Sequence, residues 1–180
     1  GVIIKEEFYK LIQNGWLSEE DTERYLNDEK IISAMELSTS PQKQNIFNAL
    51  DKVSLDTIKV LILGKDPYPN PKDAHGLAFS SKNNITPDSL KNIFKAIDTV
   101  YKSNLFETGY NELTHWAEEG VLLLNTGLTY QKIDDNILSA KEKNLLQAKI
   151  QNKNMRVWKP FINQVIQKIL TIKDRPIVMM

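Results

Sequence analysis

Ile58-Lys59-Val60-Leu61-Ile62-Leu63-Gly64-Lys65-Asp66-Pro67-Tyr68-Pro69-Asn70-Pro71 is the stretch on which the fold turns. Its first six positions are almost all apolar and β-prone. Such a run predicts a strand buried on both faces, as in a parallel sheet. The run stops at Gly64, and Pro67, Pro69 and Pro71 then impose a loop of fixed turns. Val121-Leu122-Leu123-Leu124 repeats the pattern and ends at Asn125-Thr126-Gly127. Pro176-Ile177-Val178-Met179-Met180 opens a third strand of the same kind.

Helical periodicity fills the intervals. Phe8, Leu11 and Ile12 share a face, and Ser18-Glu19-Glu20-Asp21 has the form of a capping box ahead of Tyr25, Leu26, Ile31, Ile32 and Met35. Ser38 to Gln44 is a polar loop, and Ile46, Phe47, Ala49 and Leu50 suggest one more short helix. Thr86-Pro87-Asp88-Ser89 starts a helix whose face is Leu90, Ile93, Phe94, Ile97 and Tyr101. Leu113, Trp116 and Ala117 form another, stopped by Gly120. Phe161, Ile162, Val165, Ile166, Ile169 and Leu170 form the last. Strands alternating with helices predict a three-layer α/β/α architecture with a central, mostly parallel sheet. A single domain is expected over 1–180, with an N-terminal helical part over 1–50. A charged, amphipathic insert covers 131–157, with Ile137, Leu138, Leu145, Leu146 and Ile150 as an apolar stripe packed on the surface.

Composition narrows the chemistry. The 180 residues are 41% hydrophobic and 26% charged, an ordinary globular balance. Lys plus Arg and Asp plus Glu are 23 each, which argues against tight non-specific DNA binding but leaves room for a local basic patch. The absence of cysteine removes disulfides, zinc–thiolate sites and thiol nucleophiles together. With only His75 and His115, a histidine-rich metal site is not expected. No G-x-G-x-x-G or P-loop motif is present, so no nucleotide cofactor is expected. No apolar run reaches membrane-spanning length, and Gly1 to Lys10 lacks a signal-peptide pattern. The expected address is intracellular, in the cytoplasm. Heavy use of Ile, Lys and Asn hints at an A·T-rich genome, bacterial or viral.

Ligands of open parallel sheets bind outside the carboxyl ends of the strands. Asp66 and Asn125 each follow such an end. If the two strands lie close together, both side chains converge on one crevice, with Tyr68 and Phe79 near in sequence. Either Asx alone is as well explained as a turn residue.

Gly64-Lys65-Asp66-Pro67-Tyr68 resembles the Gly-Gln-Asp-Pro-Tyr motif of the main family of uracil-DNA glycosylases. Ala74-His75-Gly76-Leu77-Ala78-Phe79-Ser80 resembles that family's next block, and Pro87-Asp88-Ser89-Leu90 its Pro-Pro-Ser-Leu helix start. Leu122-Leu123-Leu124-Asn125-Thr126 with Leu128-Thr129 resembles its fourth. Order and spacing match from about Ile46 to Thr129. The resemblance implies an enzyme, free of metal and cofactor, that flips uracil out of DNA and cleaves its glycosidic bond. It implies that Phe79 stacks on the base, Asn125 reads its edge, and Tyr68 blocks the thymine methyl. Backbone N–H groups around Lys65 and Asp66 bind O2, and Asp66 positions the water. Ser81, Thr86 and Ser89 become candidates for DNA phosphate, although Thr86 and Ser89 serve equally well as helix caps. His75 reads as a structural hydrogen-bonder. Uracil-containing DNA and a DNA-mimicking inhibitor protein are the implied partners.

The sequence departs from the family at Lys65, Pro69 and Asp88. The carboxylate of Asp88 suits a helix start but repels phosphate. The family's His-Pro-Ser-Pro block is not reached by Met180, so a missing C-terminal part is expected. A non-catalytic DNA-binding or scaffold subunit on the same fold is the competing reading.

Overall fold

The computed structural model describes residues 1–172 and 177–179. Its centre is a parallel sheet in the order β2-β1-β3, built from β1 (Val60–Gly64), β2 (Val121–Asn125) and β3 (Val178–Met179). Of the expected third strand, Pro176 and Met180 lie outside the described residues. Eight helices pack around the sheet among the described residues: α1 (Val2–Gln13), α2 (Glu19–Leu26), α3 (Glu29–Leu37), α4 (Asn48–Lys52), α5 (Asp88–Tyr101), α6 (Leu105–Thr108), α7 (Thr114–Glu118) and α8 (Ala140–Leu170). The architecture is the expected α/β one.

Local signals set most boundaries. Ser18 caps α2 in a reciprocal capping box with Asp21. Asp28 accepts from Lys30 and Ile31 N–H and starts α3, so the expected continuous face from Tyr25 to Met35 belongs to two helices. Gly120 ends α7 at φ +92°, a left-handed backbone that glycine adopts without a Cβ penalty. The core holds an aromatic cluster in which Phe47 stacks on Phe161 at 5.3 Å while Phe8, Tyr25 and Trp158 present edges. That cluster fastens the second half of α8 to the N-terminal helices.

Three expectations need correction. β1 is not sealed on both faces: Leu61 is buried, but Leu63 near its carboxyl end is 37% exposed. Tyr101, assigned to the buried face of α5, is 77% exposed because the helix outruns its packing partners. From Ala140 onward the insert runs into the last helix as one 31-residue helix, α8. A capping box between Ser139 and Glu142 starts it, and Pro160 is accommodated on an exposed turn. The stripe expected to pack is partly open: Ile137, ahead of α8, is 93% exposed and Leu145 on it 60%.

Behind the sheet, Thr129 is fully buried. Its hydroxyl accepts from Trp158 Nε1–H at 2.9 Å and donates to Asn154 Oδ1 at 3.3 Å. Thr129→Val keeps the volume but strands the Trp158 N–H. The expected loss is about 1–3 kcal/mol, measured as a lower urea midpoint at unchanged slope.

Candidate active site

β1 and β2 are paired in register, with Gly64 opposite Asn125. Beyond the last rung, Thr126 N–H donates to Gly64 O at 3.0 Å and Gly127 N–H to Lys65 O at 2.8 Å. The chain therefore leaves both strands at one point, and the loops carrying Asp66 and Asn125 open into the same crevice. A cavity of about 270 Å³ lies there, walled by Asp66, Tyr68, Phe79, Asn125 and Tyr130 among others. That is just below the roughly 300–1,000 Å³ usual for a drug-sized ligand, a size suited to one small ring.

Gly64 lets the wall close. A Cβ there would fall 2.4 Å from Asn125 Oδ1, 2.9 Å from Ala78 Cβ and 3.4 Å from Phe79 Cε2. The Asn125 amide and the Phe79 ring thus meet over a position where only hydrogen fits.

Asn125 is 7% exposed, yet its side-chain amide has no hydrogen-bond partner among the described residues. A buried amide normally has its donor and acceptor satisfied. This one faces the cavity with both free. Phe79 takes φ +66°, a left-handed conformation that is an outlier for a bulky residue and a mark of functional sites. Its carbonyl accepts from Tyr68 Oη–H at 2.8 Å, which locks the two aromatic walls together. Burial pushes the Tyr68 phenol pKa above its usual value.

Asp66 is half-buried, and its carboxylate has no hydrogen-bond partner among the described residues. Burial raises its pKa above the ordinary carboxylate range, and the neighbouring Lys65 charge offsets part of the rise. Lys65 itself is exposed, and its carbonyl is bound by Thr126 and Gly127. His75 lies behind the wall, buried, with Nε2 2.6 Å from Ser80 Oγ and 3.4 Å from Glu112. Burial lowers its pKa, so the ring is held neutral, as suits a structural hydrogen-bonder.

The phosphate candidates divide. Ser81 is 1% exposed, and its hydroxyl accepts from Asn83 N–H within its own loop. Thr86 donates to Asn111 Oδ1 at 2.9 Å, and Ser89 lies 3.2 Å from Tyr68 Oη. Neither is the side-chain cap of α5, which has none; Pro87 occupies the cap position. Ser89 instead helps hold the aromatic wall.

Two residues of the site were missed. Tyr130 lines the cavity directly, one position past the fourth motif. Ser40 lies in what reads as a polar loop, yet it bridges to Tyr130 through Tyr130 N–H and its own N–H, and its hydroxyl donates to Tyr68 O at 2.5 Å. A bridge spanning 90 residues leaves no local signal, whereas Tyr130 could have been found by extending the motif by one position.

A family model described as the Uracil DNA glycosylase superfamily matches residues 51–180. The chain belongs to that superfamily. A uracil-DNA glycosylase of Bacillus cereus is 37% identical over 176 residues, covering 94% of this chain and 70% of the relative. The crystal structure of mimivirus uracil-DNA glycosylase superposes with TM-score 0.66 at 22% identity, covering 94% of this chain and 57% of that one. A mimivirus form solved in complex with UGI gives TM-score 0.57 at 18% identity, over 93% and 58%. The chain thus spans little more than half the length of these mimivirus chains.

Two outcomes are expected of this glycosylase-family site. Gly64→Ala should push Asn125 and Phe79 off the cavity wall and, under the function proposed below, lower uracil excision on the order of 10²-fold, while circular dichroism shows an unchanged fold. Asp66→Asn should raise stability at about pH 7, where the wild-type carboxylate is ionised and burial opposes it. Below about pH 4 the group is protonated folded and unfolded alike, so the gain should vanish. Urea titrations of both proteins at the two pH values measure it.

Proposed function

We propose that this chain is a monofunctional uracil-DNA glycosylase, hydrolysing the bond between uracil and deoxyribose in DNA and leaving an abasic site. The observation that carries the reading is the Asn125 amide, buried and unpaired at the wall of a one-ring cavity. Uracil offers its complement: O4 accepts from the amide N–H, and N3–H donates to the amide oxygen. Cytosine presents the reverse pattern, and a fixed Asn leaves it with two unpaired buried groups.

The other groups take roles around that anchor. A base inside a duplex is out of reach, so it is flipped into the cavity and stacked on Phe79. Tyr68, held by Phe79 O and Ser89, stands where thymine carries its methyl. As the C–N bond breaks, its electron pair moves onto the base, and negative charge grows on O2. The Asp66 N–H, free of hydrogen bonds among the described residues, is available there together with that of Lys65. Positive charge grows on the sugar beside the Asp66 carboxylate. Water then adds to C1′ and gives its proton to Asp66, whose burial-raised pKa makes it a better acceptor. Ser89, which lines the cavity, and Thr86, at the start of α5, are the phosphate candidates; Ser81 acts through the loop it holds. A cytoplasmic, single-domain enzyme and a DNA-mimicking inhibitor as a further partner complete the proposal; the mimivirus complex with UGI supports the latter.

Asn125→Asp tests the anchor. A protonated carboxyl can donate to cytosine N3 and accept from its amine, so uracil release should fall and cytosine release should appear. Single-turnover release from oligonucleotides holding one uracil or one cytosine measures both. Unchanged uracil release would remove Asn125 from the site, and no uracil release by the wild-type chain would favour the scaffold reading.

A further inference from the structure

Charge in this chain is neutral in sum but not in place. Six of its 23 Lys and Arg residues fall between 140 and 160, against one of its 23 Asp and Glu residues, Glu142. The segment carries +5, and the rest of the chain −5. All of it lies on α8. Lys141, Lys143, Lys149, Lys153, Arg156 and Lys159 have no ion-pair or hydrogen-bond partner among the described residues. All but Lys143 are exposed.

Topology places this face. The sheet is parallel, so the carboxyl ends of β1 and β2 share one edge, where the cavity opens. α8 is the crossover from β2 to β3 and must begin at that edge before running back. Its second half is fastened by Trp158 and Phe161 in the core. Its first half is mostly exposed and projects beside the site. The connection is short in the chain as well. Tyr130 walls the cavity, and its neighbour Gln131 lines a groove with Lys153 and Arg156. Thr126, next to Asn125, lines another with Arg156 and Lys159. Glu29 and Lys30 of α3 border the first groove, and Asp134 and Asp135 precede the helix. They leave the outward row of Lys149, Lys153 and Arg156 unneutralised.

We infer that the projecting half of α8 is a DNA-backbone contact surface that extends the grip on the substrate beyond the pocket. The inference rests on DNA being the substrate. Lys149, Lys153 and Arg156 recur at i, i+4 and i+7, one face of a helix about 10 Å long. A row of unpaired cations of that length can follow several phosphates of one strand, which carry a charge about every 3.4 Å of axis. The contact is with phosphate, so it adds affinity without reading sequence. It also accounts for how a chain of zero net charge holds DNA: the cations gathered on α8 make a local basic patch that meets the strand.

The test is the triple variant Lys149→Gln, Lys153→Gln, Arg156→Gln in the full chain. Glutamine keeps helix propensity, and circular dichroism checks the fold. On a long uracil-containing duplex the KM should rise on the order of tenfold, and the log–log salt slope of binding should fall by about 2–3, close to one per lost cation. The kcat, and all constants on a uracil-centred trinucleotide too short to reach α8, should stay at wild-type values. An unchanged salt slope on long DNA overturns the inference. So does an equal loss on the trinucleotide, which would mean that α8 acts through the pocket. Loss of binding to phosphatidylserine vesicles with DNA binding intact would give the face to a lipid surface and overturn it too. If the wild-type chain releases no uracil, the enzymatic reading fails. The salt slope for binding to uracil-free duplex, by fluorescence anisotropy, then still decides the role of α8.

Discussion

The in-register pairing of β1 with β2 is the constraint on which the rest depends. Gly64 faces Asn125 on the last rung, and hydrogen bonds from Thr126 and Gly127 to Gly64 and Lys65 hold the two exits together. A slip of one residue would turn every side chain of a strand to the other face. Asn125 would then leave the cavity and Leu124 would enter it. The hydrophobic runs that build the sheet thus also fix the position of the polar anchor. The missing Cβ of Gly64 admits that anchor and the Phe79 ring to the same small volume.

The site is the place where the molecule leaves its polar groups unsettled. Elsewhere they are paired: Trp16 Nε1–H reaches two carbonyls, Ser80 joins His75 to the Leu113 N–H, and Thr129 serves Trp158. Gln151 Oε1 is the one fully buried side-chain nitrogen or oxygen without a hydrogen-bond partner among the described residues. At the cavity, by contrast, the Asn125 amide and the Asp66 carboxylate both face space without partners. Such groups oppose folding and favour a ligand that completes them. The left-handed backbone of Phe79 belongs to the same account, since the Tyr68 hydroxyl bound to its carbonyl helps hold it there.

Much of this was legible in the sequence because it is local. Two apolar runs ending at Gly64 and Asn125 located the sheet edge, and Asp66, Tyr68 and Phe79 fell within one loop of it. What escaped depends on distance or on packing. Ser40 reads as a loop serine until its bridge to Tyr130 is seen. Thr86 and Ser89 read equally as caps or phosphate candidates because sequence shows spacing and not hydroxyl direction; one bonds Asn111 and the other lies beside Tyr68. Leu63 and Tyr101 read as buried because periodicity reports a face and not whether anything covers it. The insert over 131–157 and the last helical face read as separate because each apolar stripe is local, and periodicity does not show that Pro160 is carried within one helix.

The N-terminal helices now acquire a role in the site, although they lie outside the span matched by the family model. Trp16 donates to Leu50 and Val53 carbonyls, and Asn14 to Leu50 and Asp51, so the turn after α1 is bonded to the end of α4, ahead of β1. From α3 the chain passes through Ser40, which grips Tyr130 by its backbone and Tyr68 by its hydroxyl. Two cavity walls from distant parts of the chain are thereby held by one serine. Gly76 presses on the same region: a Cβ there would meet Asn45 O at 1.8 Å, so the Phe79 loop lies directly against the turn that follows Ser40. The helical part therefore does more than cover the sheet. It closes the ring of contacts that keeps Tyr68, Phe79 and Tyr130 at fixed separations, and a cavity that must tell a ring bearing a methyl group from one without needs walls that do not yield.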